Sequence, residues 1–364
     1  MGLFYLFYFA LIGVYIIFLP KVLKDLGFTG FEVGVIFSIA PMMRFILPFI
    51  FREFGGLNSI TYKISLILMP LSAWFFFVGL ENFFALIVIN MFYGASMGTV
   101  LPFIDTIALK TITKKNYGKV RLWGSIGFMV IALWLGKFLD SNIEVIYYLF
   151  GLSFALSLSG FSIVNFDKDS QSSQKSVKKG LSLSKYWAWW LGTLLFQISF
   201  GGFYNFFTIY ETTNGISLEI TSWLWSFGVV CEIVMLYFQG RLLERFNLLS
   251  LIEISIFSGA VRWLLLWLYP NSLSIAFLSQ SLHSLNFALY YTASIAYVYK
   301  IYTHKRLAQQ FFLGISFGLG GSVGAFVAGV IYERDSTTLF LSQALIALSA
   351  LFAILIHRRR VYGR

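Results

Sequence analysis

The stretch "NFDKDSQSSQKSVKKGLSLSK", Asn165 to Lys185, is the longest polar run in a chain that is otherwise almost continuously apolar. Rich in Ser and Lys, it has the composition of a flexible linker. On each side lie six apolar runs, so its position decides the architecture. The expectation is an N-terminal half over 1–165, a linker over 166–185 and a C-terminal half over 186–364.

A helix needs about 20 apolar residues to cross the hydrocarbon core. Runs of that kind fall at 3–22, 31–51, 60–80, 83–109, 121–139, 144–165, 186–210, 219–239, 248–269, 274–300, 309–332 and 337–356. The fold class expected is all-α and polytopic, with twelve transmembrane helices. Composition agrees: 58% of residues are hydrophobic and 12% charged, with a mean hydropathy of +0.78. A soluble domain of this length needs more charge to cover its surface. The apolar N-terminus lacks a positive leader and a small-residue cleavage site, so it reads as a retained first helix.

The net charge of +11 is explained by topology. With both termini inside, the outer side holds only Lys21, Lys24, Lys137 and Arg334, and three arginines lie in the apolar runs. All the other basic residues lie on the inner side, as the positive-inside rule requires. Nucleic-acid binding is therefore not expected. "KYWAWW", Lys185 to Trp190, reads as an interfacial anchor. Six glycines from Gly314 to Gly329 read as a close helix–helix contact.

Charges inside apolar runs carry the functional signal, because each costs about 2.5–3.5 kcal/mol at the bilayer centre. They are Arg44, Asp105, Arg121, Glu232 and Arg262, joined by the titratable His283. Asp105 and Arg121 lie about eight residues either side of a turn near Ile112 and Thr113, which places them at similar depth on antiparallel helices. Glu232 and Arg262 are related in the same way about the turn near Asn247. Two acid–arginine pairs are thus expected, one per half, around a polar cavity. Arg121 opens its run directly after Lys119, so it reads either as an anchor at the membrane face or as a ligand-binding group. Three arginines against two acids suit an anionic substrate. Phe128, Trp123, Tyr204 and Tyr210 offer aromatic faces for a ring. The scattered histidines, His283, His304 and His357, supply neither a catalytic cluster nor a metal site. No enzyme activity, cofactor or metal is expected, and the oligomeric expectation is a monomer.

The plan of six plus six spans with a basic central loop resembles the major facilitator superfamily. "GRLLERFN", Gly240 to Asn247, is similar to its loop signature, with Glu244 and Arg245 in the acid and arginine positions. "YGKVRLWGSIGF" (Tyr117 to Phe128), "PFIDTIA" (Pro102 to Ala108), "SWLWSFGVVCEIV" (Ser222 to Val234) and "SGAVRW" (Ser258 to Trp263) resemble the phenylpropionate permease branch. The first also resembles related nucleoside and oligosaccharide proton symporters. The resemblance implies a multi-pass bacterial inner-membrane transporter that works by alternating access, with a small-molecule substrate and a proton as its partners.

The more distant likeness to lactose permease implies that Asp105 and Arg121 bind substrate. Arg262 and His283 match further functional positions there, and Glu232 lies about one turn from another. Where that relative has a glutamate and a lysine on span ten, this chain has Asn286 and Gln280. Coupling is therefore expected at Glu232 with Arg262. Substrate contact is expected from Arg44, Asp105, Arg121, Phe128, Arg262 and His283. The expected substrate is a small aromatic carboxylate. The alternatives are a nucleoside or oligosaccharide, or a substrate sensor that has lost transport.

Overall fold

The computed structural model describes residues 1–53, 57–111, 114–164 and 182–362, with side chains undescribed at 52–53, 109–110, 114–116, 306 and 362. The linker expected at 166–185 lies outside the described residues except for its last four. Among the described residues there are helices and no strands. Two compact units emerge, Met1–Ser176 and Val177–Arg364.

The first unit holds α1 (Gly2–Asp25), α2 (Gly30–Glu53), α3 (Ser59–Gly79), α4 (Phe83–Thr111), α5 (Lys114–Phe138) and α6 (Asn142–Val164). Side-chain caps define several starts. Asn58 accepts from the backbone N–H groups of Ile60 and Thr61, and Thr61 returns a bond to the Asn58 N–H. This reciprocal box satisfies donors that a helix start leaves open. Pro70 lies inside α3 and cannot donate to the carbonyl of Leu66. The Ser157 hydroxyl on α6 donates to that carbonyl instead, at 2.6 Å, so the proline is accommodated by a neighbouring helix.

The second unit holds α7 (Trp187–Ile198 and Gly201–Thr213), α8 (Leu218–Arg245), α9 (Leu248–Leu268), α10 (Leu273–Ser281 and Tyr290–Ile301), α11 (Lys305–Phe312 and Gly321–Arg334) and α12 (Leu339–Tyr362). Ten of the twelve spans are helices long and apolar enough to cross a membrane. The remaining two, α7 and α10, are interrupted. In α7 the break falls at Ser199 and Phe200, and in α10 a π-helical turn runs from Ser284 to Leu289. Two further π-helical stretches lie in α11, Leu313–Gly320, and in α1 of the first unit, Val14–Phe18. With its amide nitrogen turned toward its acceptors, Gln343 of α12 donates to the Ser199 and Ile198 carbonyls at 2.7 and 3.1 Å. That contact serves carbonyls which the broken helix leaves open.

Both units pair their helices in the same order. α1 packs on α5, α2 on α4 and α3 on both α4 and α6; correspondingly, α7 packs on α11, α8 on α10 and α9 on both α10 and α12. Glycine makes the first pairing close in each unit. A Cβ at Gly127 of α5 would come within 2.1 Å of the Leu6 carbonyl oxygen of α1. A Cβ at Gly201 of α7 would come within 2.0 Å of the Gly324 carbonyl oxygen of α11. The packing expected of the α11 glycines is therefore present at Gly324. The expected Trp anchor is corrected: Trp187 is exposed, whereas Trp189 and Trp190 are buried. Trp190 donates to the Tyr302 hydroxyl at 2.9 Å.

Candidate functional site

In the first unit, Asp105 on α4 meets Arg121 on α5. Arg121 Nη1 lies 3.0 Å from Asp105 Oδ1 and 3.2 Å from Oδ2. Two tyrosines complete the group. Tyr5 of α1 donates to Oδ1 at 2.6 Å, and Tyr117 of α5 donates to the same oxygen at 3.1 Å. Their pull on one oxygen spreads the carboxylate charge over three donors, as charge-assisted bonds do. The guanidinium also lies over the rings of Phe9 and Tyr5, at 5.5 and 5.8 Å. The pair is half-exposed, with side-chain accessibilities of 39% for Arg121 and 28% for Asp105.

The pairing was legible from depth, although the turn near Ile112 and Thr113 lies outside the described residues. The helix itself starts before the apolar run: α5 begins at Lys114, so Arg121 stands about two turns inside it. The partnership of Tyr117 was visible in principle, since residues four apart share a helix face. Tyr5 carried no such signal, because its contact depends on how α1 packs.

The other first-unit candidates are dispersed. Arg44 on α2 is exposed, and its aliphatic stem covers Gly98 of α4. Phe128 is buried at the α1–α5 contact, 3.5 Å from where a Cβ on Gly13 would stand. Trp123 is exposed. Lys119 is exposed as well.

In the second unit, Arg262 on α9 is fully buried. Its hydrogen-bond partners all come from α10. Nη2 donates to Gln280 Oε1 at 2.8 Å. Nη1 donates to His283 Nδ1 at 3.0 Å and to Asn286 Oδ1 at 3.4 Å. These three residues are spaced three apart, so they line one side of the helix where it enters its π turn. The guanidinium also lies 4.0 Å from the Phe203 ring and 4.6 Å from the Trp263 ring, and the two rings are themselves neighbours at 5.6 Å.

Arginine has only donors, which fixes the roles of its partners. His283 must accept at Nδ1, so its ring proton sits on Nε2. Nε2 points toward Glu232 of α8, whose Oε2 lies 3.9 Å away. That separation is too long for a direct hydrogen bond and close enough for strong electrostatic influence in a buried site. The expected acid–arginine pair is therefore modified, with the His283 ring standing between Glu232 and Arg262. Gln280 and Asn286 must likewise turn their oxygens to Arg262. Among the described residues, three buried N–H donors of the cluster then have no acceptor: Arg262 Nε, Gln280 Nε2 and Asn286 Nδ2.

Of the second-unit aromatics, Tyr210 is committed elsewhere, since its hydroxyl donates to the Leu266 carbonyl at 3.2 Å. Glu253 of α9 forms an ion pair with Arg358 of α12.

A model of the MFS_1 like family matches residues 1–342. The probable 3-phenylpropionic acid transporter of Escherichia coli K12 is 26% identical, over 96% of this chain and 94% of that protein. The uncharacterized transporter YwbF of Bacillus subtilis 168 is 27% identical, over 92% of this chain and 86% of its own length. Among solved structures, the nucleoside transporter NupG superposes with a TM-score of 0.82 at 17% identity, over 98% of both chains.

Proposed function

Because the chain belongs to the MFS_1 like family and is a multi-pass membrane transporter, we propose that it is a proton-coupled symporter of a small aromatic carboxylate. Alternating access in the bacterial inner membrane, with both termini inside, completes the reading, and the distribution of Lys and Arg supports that orientation. The likeness to a probable 3-phenylpropionic acid transporter points to the same substrate class.

The observation that carries the reading is the Arg262 cluster. A fully buried cation bonded only to neutral acceptors, beside three unused N–H donors, is suited to receiving an anion with several lone pairs. Burying a charge without a counter-ion is costly, and a carboxylate partner relieves that cost. The ring of such a substrate would find aromatic faces in the neighbouring Phe203 and Trp263. Arg262 and His283 are the proposed substrate contacts within the second unit. Arg44, Asp105, Arg121 and Phe128 are those proposed within the first.

Glu232 is the proposed coupling acid. A substrate carboxylate that draws on Arg262 changes the charge felt by His283, and through Nε2 the charge felt by Glu232. Substrate binding and proton binding are then thermodynamically linked, as a symporter requires. Glu232→Gln should lower the proton-to-substrate ratio, read from reversal potentials in proteoliposomes, by one and preserve substrate exchange. An unchanged ratio in that variant would refute the assignment.

A nucleoside or sugar is the second reading, favoured by the two unused amide donors of Gln280 and Asn286. A thermal-shift comparison of 3-phenylpropionate with its neutral amide separates the two. The carboxylate reading expects stabilisation by the acid and little by the amide; equal shifts would favour the neutral substrate.

A further inference from the structure

Glu211 is a buried acid that neither the Arg262 cluster nor the Asp105–Arg121 pair uses. It stands in the last turn of the second half of α7, with 1% of its surface exposed. Neither carboxylate oxygen has a hydrogen-bond partner among the described residues. Nearby polar groups are committed to other bonds. Trp225 Nε1 donates to the Thr208 hydroxyl at 3.1 Å, and Tyr210 donates to Leu266.

Charged neighbours offer no relief. On the elements packed against this half-helix, Glu219 of α8 and Glu333 and Arg334 of α11 are exposed. The titratable groups Tyr204 and Tyr210 lie on α7 itself, and Tyr332 lies on α11. Described residues of α12 near this end contribute Gln343, which is neutral and turned toward Ser199. Arg262 of α9 stacks on Phe203, eight residues before Glu211, or about 12 Å along the helix. Helix polarity opposes a negative charge as well, because the C-terminal turn is the negative end of the macrodipole.

A bare carboxylate in such surroundings is far costlier than a neutral acid. We propose that Glu211 is a second proton-binding site. It holds a proton while the second half of α7 is seated as in this structure, and releases that proton to water when this half moves. The hinge is the break at Ser199 and Phe200. α11 flanks this hinge, since its Gly324 approaches the backbone of Gly201 on one side of the break and of Ile198 on the other. On release the carboxyl O–H bond breaks, leaving a carboxylate and a hydrated proton. The resting protonation does not depend on the substrate, whereas the movement of this proton in transport rests on the symport reading.

Infrared spectra of the purified, full-length protein at pH 7 test the resting state. The carbonyl band of a protonated acid should be present and should disappear in Glu211→Gln, which mimics the neutral form. Loss of carboxylate bands instead would overturn the proposal. If the Gln variant does not insert, Glu211→Asp serves, and the protonated band should shift in frequency rather than vanish; an unmoved band overturns it. Reversal-potential measurements in proteoliposomes, with 3-phenylpropionate as the probe, test the moving proton. Glu211→Gln should lower the proton-to-substrate ratio by one, and an unchanged ratio would reject the moving step. Should Glu232→Gln leave the ratio unchanged while Glu211→Gln lowers it by one, the Glu232 assignment fails and Glu211 stands.

Discussion

Each unit sets one arginine against aromatic rings, and the two arginines are held in opposite ways. Arg121 is half-exposed and bonded to a carboxylate that two tyrosines also hold. Arg262 is fully buried and bonded to an imidazole and two amides. The first arrangement is internally compensated, because its cation has its anion in place. The second bonds its cation to neutral groups, and the Glu232 carboxylate stands apart from it, beyond the His283 ring. Compensation favours a fixed structure, whereas an uncompensated buried charge is poised to respond to an arriving anion or proton. The contrast assigns the larger functional leverage to the second unit, where the helix interruptions at α7 and α10 also lie.

The contrast can be broken most severely at Arg262 itself. Arg262→Gln removes the cation and should weaken 3-phenylpropionate binding by at least about 100-fold, or roughly 2.7 kcal/mol. Calorimetric titration checks this, and near-normal affinity would place the anion elsewhere. Making the second unit resemble the first is a subtler change. Asn286→Asp offers Arg262 a resident carboxylate and should weaken binding of the acid by about tenfold. It should barely alter any binding of the neutral amide, so the ratio of the two affinities is the measurement.

The Asp105–Arg121 pair should respond as a unit. Asp105→Asn should cost about 1 kcal/mol of stability, the scale of a part-exposed ion pair. Arg121→Ala should abolish binding if the arginine contacts substrate. The double variant Asp105→Asn with Arg121→Gln should recover the stability but not the binding. Recovery of both would make the pair a purely structural tie between α4 and α5. Lys119→Ala marks the lower end of the scale, and its affinity should stay within about twofold of the parent.

Much of this was legible before any coordinates. Twelve spans followed from length and hydropathy, and the Asp105–Arg121 contact followed from equal distances either side of a turn. What failed to appear depended on side-chain direction within a helix of irregular pitch. Depth alone pairs Glu232 with Arg262; it cannot show the His283 ring standing between them. Asn286 and Gln280 stood out as missing charges, yet their role as acceptors for Arg262 depends on how α9 packs on α10. Glu211 carries no such signal in the sequence, because the apolar run ends at Tyr210. The helix in fact continues to Thr213 and carries the acid into the packed interior.

The contact of Arg262 with the Trp263 ring has a spectroscopic corollary. An indole with a guanidinium 4.6 Å from its ring sits in a strong local field, and its excited state is more dipolar than its ground state. Any ligand that neutralises the arginine alters that field, so Trp263 emission should shift in wavelength on binding. A variant retaining Trp263 alone among the ten tryptophans would then report occupancy optically, with no label attached.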